Sequence, residues 1–158
     1  MRRCAICKKN WFNLTRSICD ECYQQAQIEV NAANEEIKRY EELLDKDYTR
    51  IEQYLSKFKK LLNLYKTIYY YADLLPGEIK VEPKTYKEFL RLIKEDISSL
   101  INHRIDVYYF QIERMGDMAC IVDLQILENE MLKAQNKYPE FDEELSTTRI
   151  QNILSKYG

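Results

Sequence analysis

Four of the chain's five cysteines fall in two close pairs, Cys4-Ala5-Ile6-Cys7 and, eleven residues later, Cys19-Asp20-Glu21-Cys22. A Cys-x-x-Cys turn presents two sulfurs on one side of a tight knuckle, and two such knuckles facing each other close a four-sulfur shell. Zinc favours such a shell, with Zn–S bonds near ~2.3 Å at tetrahedral corners. Four protein ligands leave no position for water, so the spacing predicts one structural Zn2+ held by Cys4, Cys7, Cys19 and Cys22. Iron–sulfur ligation and a redox dithiol pair are the competing chemistries. A segment this short has almost no core of its own, so metal would hold it together, with Trp11, Phe12, Leu14 and Ile18 packed beside it. Cys120 stands far from the cluster and reads as a small buried thiol.

The segment CAICKKNWFNLTRSICDECYQQA resembles a treble-clef or zinc-ribbon finger. In such fingers a first knuckle leads into a hairpin and the second Cys-x-x-Cys opens a helix. The resemblance implies the same four ligands and covers about the first 25 residues. A glycine often follows the first knuckle in these fingers, and Lys8 stands there in this chain. Fingers of this kind bind DNA, RNA or protein, so the resemblance leaves the partner open.

Other chemistry is sparse. His103 is the only histidine, no spacing suggests a catalytic triad, and there is no glycine-rich phosphate loop. The carboxylates lack the Glu-x-x-His pairs of di-iron bundles. The expectation is therefore a protein that is not an enzyme. The head is basic: Arg2, Arg3, Lys8, Lys9 and Arg16 outnumber Asp20 and Glu21 over residues 1–22, an excess of +3 against a whole-chain net charge of −2. These cations could neutralise phosphates and Trp11 could stack on a base. Four thiolates and one Zn2+ would together add −2, which shrinks that excess. Thirteen tyrosines, including Tyr69-Tyr70-Tyr71 and Tyr108-Tyr109, favour instead a protein–protein contact, since tyrosine joins apolar area to a polar tip.

The elements that must carry the head read as helical. From Tyr23 to Leu75 apolar residues recur in heptads through Val30, Ile37, Leu44, Ile51, Phe58 and Tyr65, and through Ala26, Ala33, Tyr40, Tyr54, Leu61 and Ile68. Only Asp47 breaks the seam, marking a kink or polar register point. Pro76-Gly77 stops the helix, residues 76–84 connect, and Thr85 with Glu88 forms a capping box. A second period near 3.6 runs from Tyr86 to Ile126 through Ile93, Ile101, Ile105, Ile112 and Met115, then shifts to Leu127, Met131, Ala134 and Tyr138 before Pro139. Over 104–126 a β-hairpin turning at Met115-Gly116-Asp117 competes with it. A last short helix is expected over 143–156.

The expected fold is thus all-α, a long antiparallel coiled-coil-like helical hairpin with a short C-terminal helix. The domains are a zinc finger over 1–24 and a helical body over 25–158. Two helices leave wide stripes uncovered, which calls for a third element, the C-terminal helix or a second protomer, and a homodimer in a four-helix arrangement is expected. No apolar run approaches the ~20 residues that span a bilayer, and no apolar segment follows the charged start, so a cytoplasmic location without membrane contact is expected. These features suggest a zinc-binding interaction or adaptor protein with a protein partner. The alternative is a regulator touching nucleic acid through the finger.

Overall fold

The computed structural model describes residues 2–11, 16–42 and 50–157. The chain is all-α, built on antiparallel helices, with a short C-terminal helix and the cysteine cluster at its N-terminal end. Among the described residues the only extended pairing is Arg2–Arg3 (β1) against Asn10–Trp11 (β2), antiparallel. Five α-helices follow among the described residues: α1, Asp20–Glu42; α2, Ile51–Leu74; α3, Tyr86–Met115; α4, Ala119–Lys137; and α5, Thr148–Ser155. No helix is long and apolar enough to cross a membrane, among the described residues.

The heptads of Tyr23–Leu75 are carried by two helices, not one. Tyr71 of α2 donates a hydrogen bond to Glu29 of α1, and Lys60 of α2 lies 5.7 Å from the ring of Tyr40 of α1. Eleven residues forward along α1 match eleven back along α2, so the two helices run antiparallel. A seam that repeats every seven residues faces inward whether the helix continues or folds back on itself, so the period alone could not register the reversal. The polar point assigned to Asp47 lies outside the described residues.

The chain forms two compact units, Met1–Lys46 with Lys59–Leu90, and Asp47–Phe58 with Arg91–Gly158. In the first, α2 pairs antiparallel with the start of α3 through aromatic rings. Tyr65 stacks on Phe89 at 4.0 Å between centroids, and Tyr69 meets Tyr86 edge-on at 5.9 Å. Tyr69 also donates its hydroxyl hydrogen to the Pro83 carbonyl. The turn after α2 contains Gly77 at φ 84°, a conformation that favours glycine. Thr85 caps α3 as expected: its hydroxyl accepts the Glu88 N–H at 3.3 Å.

In the second unit α3 and α4 are antiparallel neighbours, tied by Arg104–Glu130 at 3.5 Å and by the Cys120 thiol donating to Gln111 at 2.8 Å. Residues 104–126 are therefore helical, not a β-hairpin, but the helix does not run through Gly116. That residue has φ 66° and ends α3, and Asp117 accepts the Ala119 N–H at 3.2 Å to start α4. The break rotates the buried face. Met115, Val122 and Ile126, which continue the α3 stripe in sequence, are exposed, while Cys120, Leu124, Leu127 and Met131 are buried. A 3-10 turn at Pro139–Phe141 leads towards α5, which begins five residues later than expected. Arg149 of α5 pairs with Asp106 and Asn102 of α3.

Candidate metal centre

The first knuckle sits at the tip of the β1–β2 pair. The Cys4 N–H donates to the Lys9 carbonyl at 2.9 Å, and the Lys8 N–H returns to the Cys4 carbonyl at 3.0 Å. This closure needs a left-handed residue after Cys7, and Lys8 takes it at φ 64°, the only non-glycine with positive φ among the described residues. Lys8 thus adopts a conformation that glycine takes without steric cost. Its Nζ donates to the Ala5 carbonyl at 2.9 Å, inside the same turn.

The second knuckle opens α1. Cys19 precedes the first helical residue, and Cys22 lies in the first turn with Asp20 and Glu21. The Ala5 N–H donates to the Ser17 carbonyl at 2.9 Å, which sets the two knuckles side by side. All four sulfurs lie within 4.8 Å of one another, and Cys7 Sγ is 3.7 Å from Cys19 Sγ. The Cys19 N–H donates to Cys4 Sγ at 3.3 Å. Cys4 is fully buried, Cys19 and Cys22 are half-buried, and Cys7 is exposed. The four cysteines could hold a metal ion.

The electrostatics fit that use. Burial pushes the Cys4 thiol up, but the N–H groups of Cys19, Cys7 and Ile6 outweigh it and hold it down at about 6. Burial pushes Cys22 up as well, and there the side-chain hydrogen bonds of Cys19, Cys4 and Cys7 and the charge of Cys4 add to it, to about 12. One thiolate forms readily and another is resisted, by burial first and by its sulfur neighbours second. A cation at the centre removes that resistance.

The surrounding core differs from the expected one. Ile18 is fully buried beside Cys4, as predicted, but its company comes from the helices: Ala26 and Val30 of α1, Tyr71 of α2, and Leu75 just beyond it. The Trp11 side chain, Phe12 and Leu14 lie outside the described residues. The Ser17 hydroxyl donates to the Leu74 carbonyl at 2.7 Å. No local spacing links residues 17 and 18 to 71–75. Only the inward heptad position of Leu75 hinted that something packs there.

The proposed contact residues are divided. Arg3, Lys8 and Lys9 are exposed around the first knuckle. Arg2 contributes backbone to β1, and its side chain lies outside the described residues. Arg16 is turned inward: its guanidinium lies 3.5 Å from the Tyr23 ring centroid and near Asp20 at 3.6 Å and Glu78 at 3.8 Å. His103 is exposed on α3, and Cys120 is buried in the second unit. No family model, curated protein or solved structure matches this chain.

Proposed function

We propose that this chain is a non-enzymatic, zinc-stabilised interaction protein, in which a treble-clef-like finger presents a head on a helical dimerisation stalk. The carrying observation is the sulfur geometry. A tetrahedron with bonds of ~2.3 Å has edges of ~3.8 Å, and Cys7 and Cys19 are 3.7 Å apart. An all-sulfur donor set selects zinc or iron over harder cations. A complete set of four ligands supports a structural role. A hairpin knuckle followed by a knuckle that opens a helix supports the treble-clef reading.

The dimer is supported by apolar side chains on α3 and α4. Phe110 and Val107 of α3 and Val122 and Ile126 of α4 are 57%, 40%, 54% and 50% exposed. Large apolar side chains exposed in this number on two helices are costly to leave in water and suit a second copy packing helix to helix.

Metal analysis of the purified chain is expected to give one zinc per chain, lost in Cys4→Ser/Cys7→Ser. Iron or no metal overturns the zinc assignment. Light scattering is expected to give a dimer mass, and Phe110→Glu/Ile126→Glu a monomer. A monomeric wild type at high concentration overturns the stalk. The alternative, nucleic-acid contact, draws on exposed Arg3, Lys8 and Lys9. It requires salt-dependent binding of generic DNA or RNA that weakens in Lys8→Glu/Lys9→Glu.

A further inference from the structure

We infer that the end of α2 is part of the metal site's own wall, so that metal binding and the packing of α2 on α1 are one coupled equilibrium. The inference rests on the zinc reading above and adds residues that are far from the cysteines in sequence. Cys4, a ligand, and Ile18, the residue before another ligand, are both fully buried. They share one cluster with Tyr71 and Leu75, against which Cys19 and Cys22 also pack. Two polar ties cross the same boundary. Ser17 Oγ donates to the Leu74 carbonyl at 2.7 Å, and Arg16 pairs with Glu78 at 3.8 Å.

The Leu74 bond has a further use. The last carbonyls of a helix have no partner within it, and Ser17 satisfies that of Leu74 from the second knuckle. Tyr71 meanwhile bonds to Glu29 on α1, so one turn of α2 touches both the head and the helix that the head opens. A metal ion that fixes Cys19 and Cys22 also fixes Ser17 and Ile18, and through them the last turn of α2. The coupling is reciprocal: a change in α2 that loosens this contact weakens metal binding by the factor by which the metal strengthens the contact. Leu75 and Ser17 act as positioning residues for the site, without touching the metal.

The test is zinc affinity of the full-length chain, measured by competition with a chromophoric chelator. Leu75→Ala is expected to weaken it at least tenfold and Ser17→Ala two- to fivefold, both still binding one zinc per chain. Amide exchange of the wild type supplies a second readout that needs no variant. Removing zinc is expected to lower protection over residues 71–75 at least a hundredfold. Leu75→Ala affinity within twofold of wild type, or unchanged protection at 71–75 on zinc removal, overturns the coupling while leaving zinc binding intact. A wild type that takes up no zinc overturns the zinc reading and the coupling with it.

Discussion

The two compact units are stabilised by different means. Of the ten largest fully buried side chains among the described residues, eight belong to the second unit: Leu55, Ile105, Leu124, Leu127, Met131, Phe141, Leu145 and Ile150. The other two, Cys4 and Ile18, belong to the first and lie at the cysteine cluster. The second unit therefore has an ordinary aliphatic core. The first has its deepest burial at the candidate metal, and elsewhere combines less completely buried aliphatic residues, such as Ile37, Leu61, Leu62 and Ile68, with aromatic rings, such as Tyr65 on Phe89. A small core needs a staple, and here four sulfurs supply its parts.

The sharpest way to break this contrast is to remove the sulfurs. Replacing Cys4, Cys7, Cys19 and Cys22 by Ser withdraws the whole metal contribution, which in zinc-finger peptides is on the order of 10–16 kcal/mol. That is comparable to the total stability of a domain, so the first unit is expected to lose its fold, including the α1–α2 pairing. Helices α4 and α5 should keep their protection in amide exchange. Full retention of α1 and α2 protection would show that the helices of the first unit stand without the head. The packing of Ile18 with Tyr71 and Leu75 is the reason to expect the loss instead.

The reciprocal test is in the second unit. Phe141 is fully buried, and Phe141→Ala is expected to destabilise that unit by about 3–5 kcal/mol. Denaturant unfolding followed by residue-resolved exchange would locate the loss. Zinc affinity should stay within twofold of wild type. A large fall in zinc affinity would mean that the two units act as one cooperative body.

How far the sequence carried this picture follows from the range of each signal. The cysteine spacing is local and named the quartet that the fold brings together. The Thr85 cap and the stop at Pro76-Gly77 are equally local and stand where expected. The reversals were harder. The heptads continue in phase from Val30 to Phe58 although α1 and α2 are separate antiparallel helices. The α3 stripe continues through Gly116 to Val122 and Ile126, although those two residues are exposed. In each case periodicity reports which residues are apolar on a helix, and a break between helices leaves the period untouched. In the second case Gly116 was the warning, and its positive φ is what the break required. The packing of Tyr71 and Leu75 against the cysteine cluster was not legible for another reason, since a contact across more than fifty residues leaves no spacing to read.

A smaller change tests the head alone. A side chain in the left-handed region costs roughly 1–2 kcal/mol relative to glycine, and Lys8 sits there at φ 64°. Lys8→Gly gives up only the exposed Nζ bond to Ala5. The expected result is a head more stable by about 1 kcal/mol, equivalent to about fivefold tighter zinc binding. Weaker binding would mean that the lysine, not the backbone conformation, is what the knuckle needs. Under nucleic-acid contact the same variant would lose affinity for DNA or RNA while gaining it for zinc.

The smallest expected effect lies in the second unit and concerns pH. The Tyr157 hydroxyl donates to Glu113 of α3. That bond, with a second from Tyr109, holds the Glu113 carboxyl below its usual 4.5. The same bond, helped by burial, pushes Tyr157 up from 10.0 to about 12. The signs differ at the two ends. The lowered carboxyl contributes stability above pH 4.5 and loses it as pH falls through its folded value. The raised phenol contributes below pH 10 and loses it as pH rises towards 12. Between those limits the pair should leave stability flat. Tyr157→Phe should therefore cost most at neutral pH, by a small amount because the pair is screened by solvent, and less at the acid and alkaline ends, where the bond is already being lost. Thermal melts at pH 4, 7 and 11 would show this. An equal loss at all three would mean that Tyr157 stabilises α5 by packing, as the rest of this unit does, and not through its charge-sensitive bond.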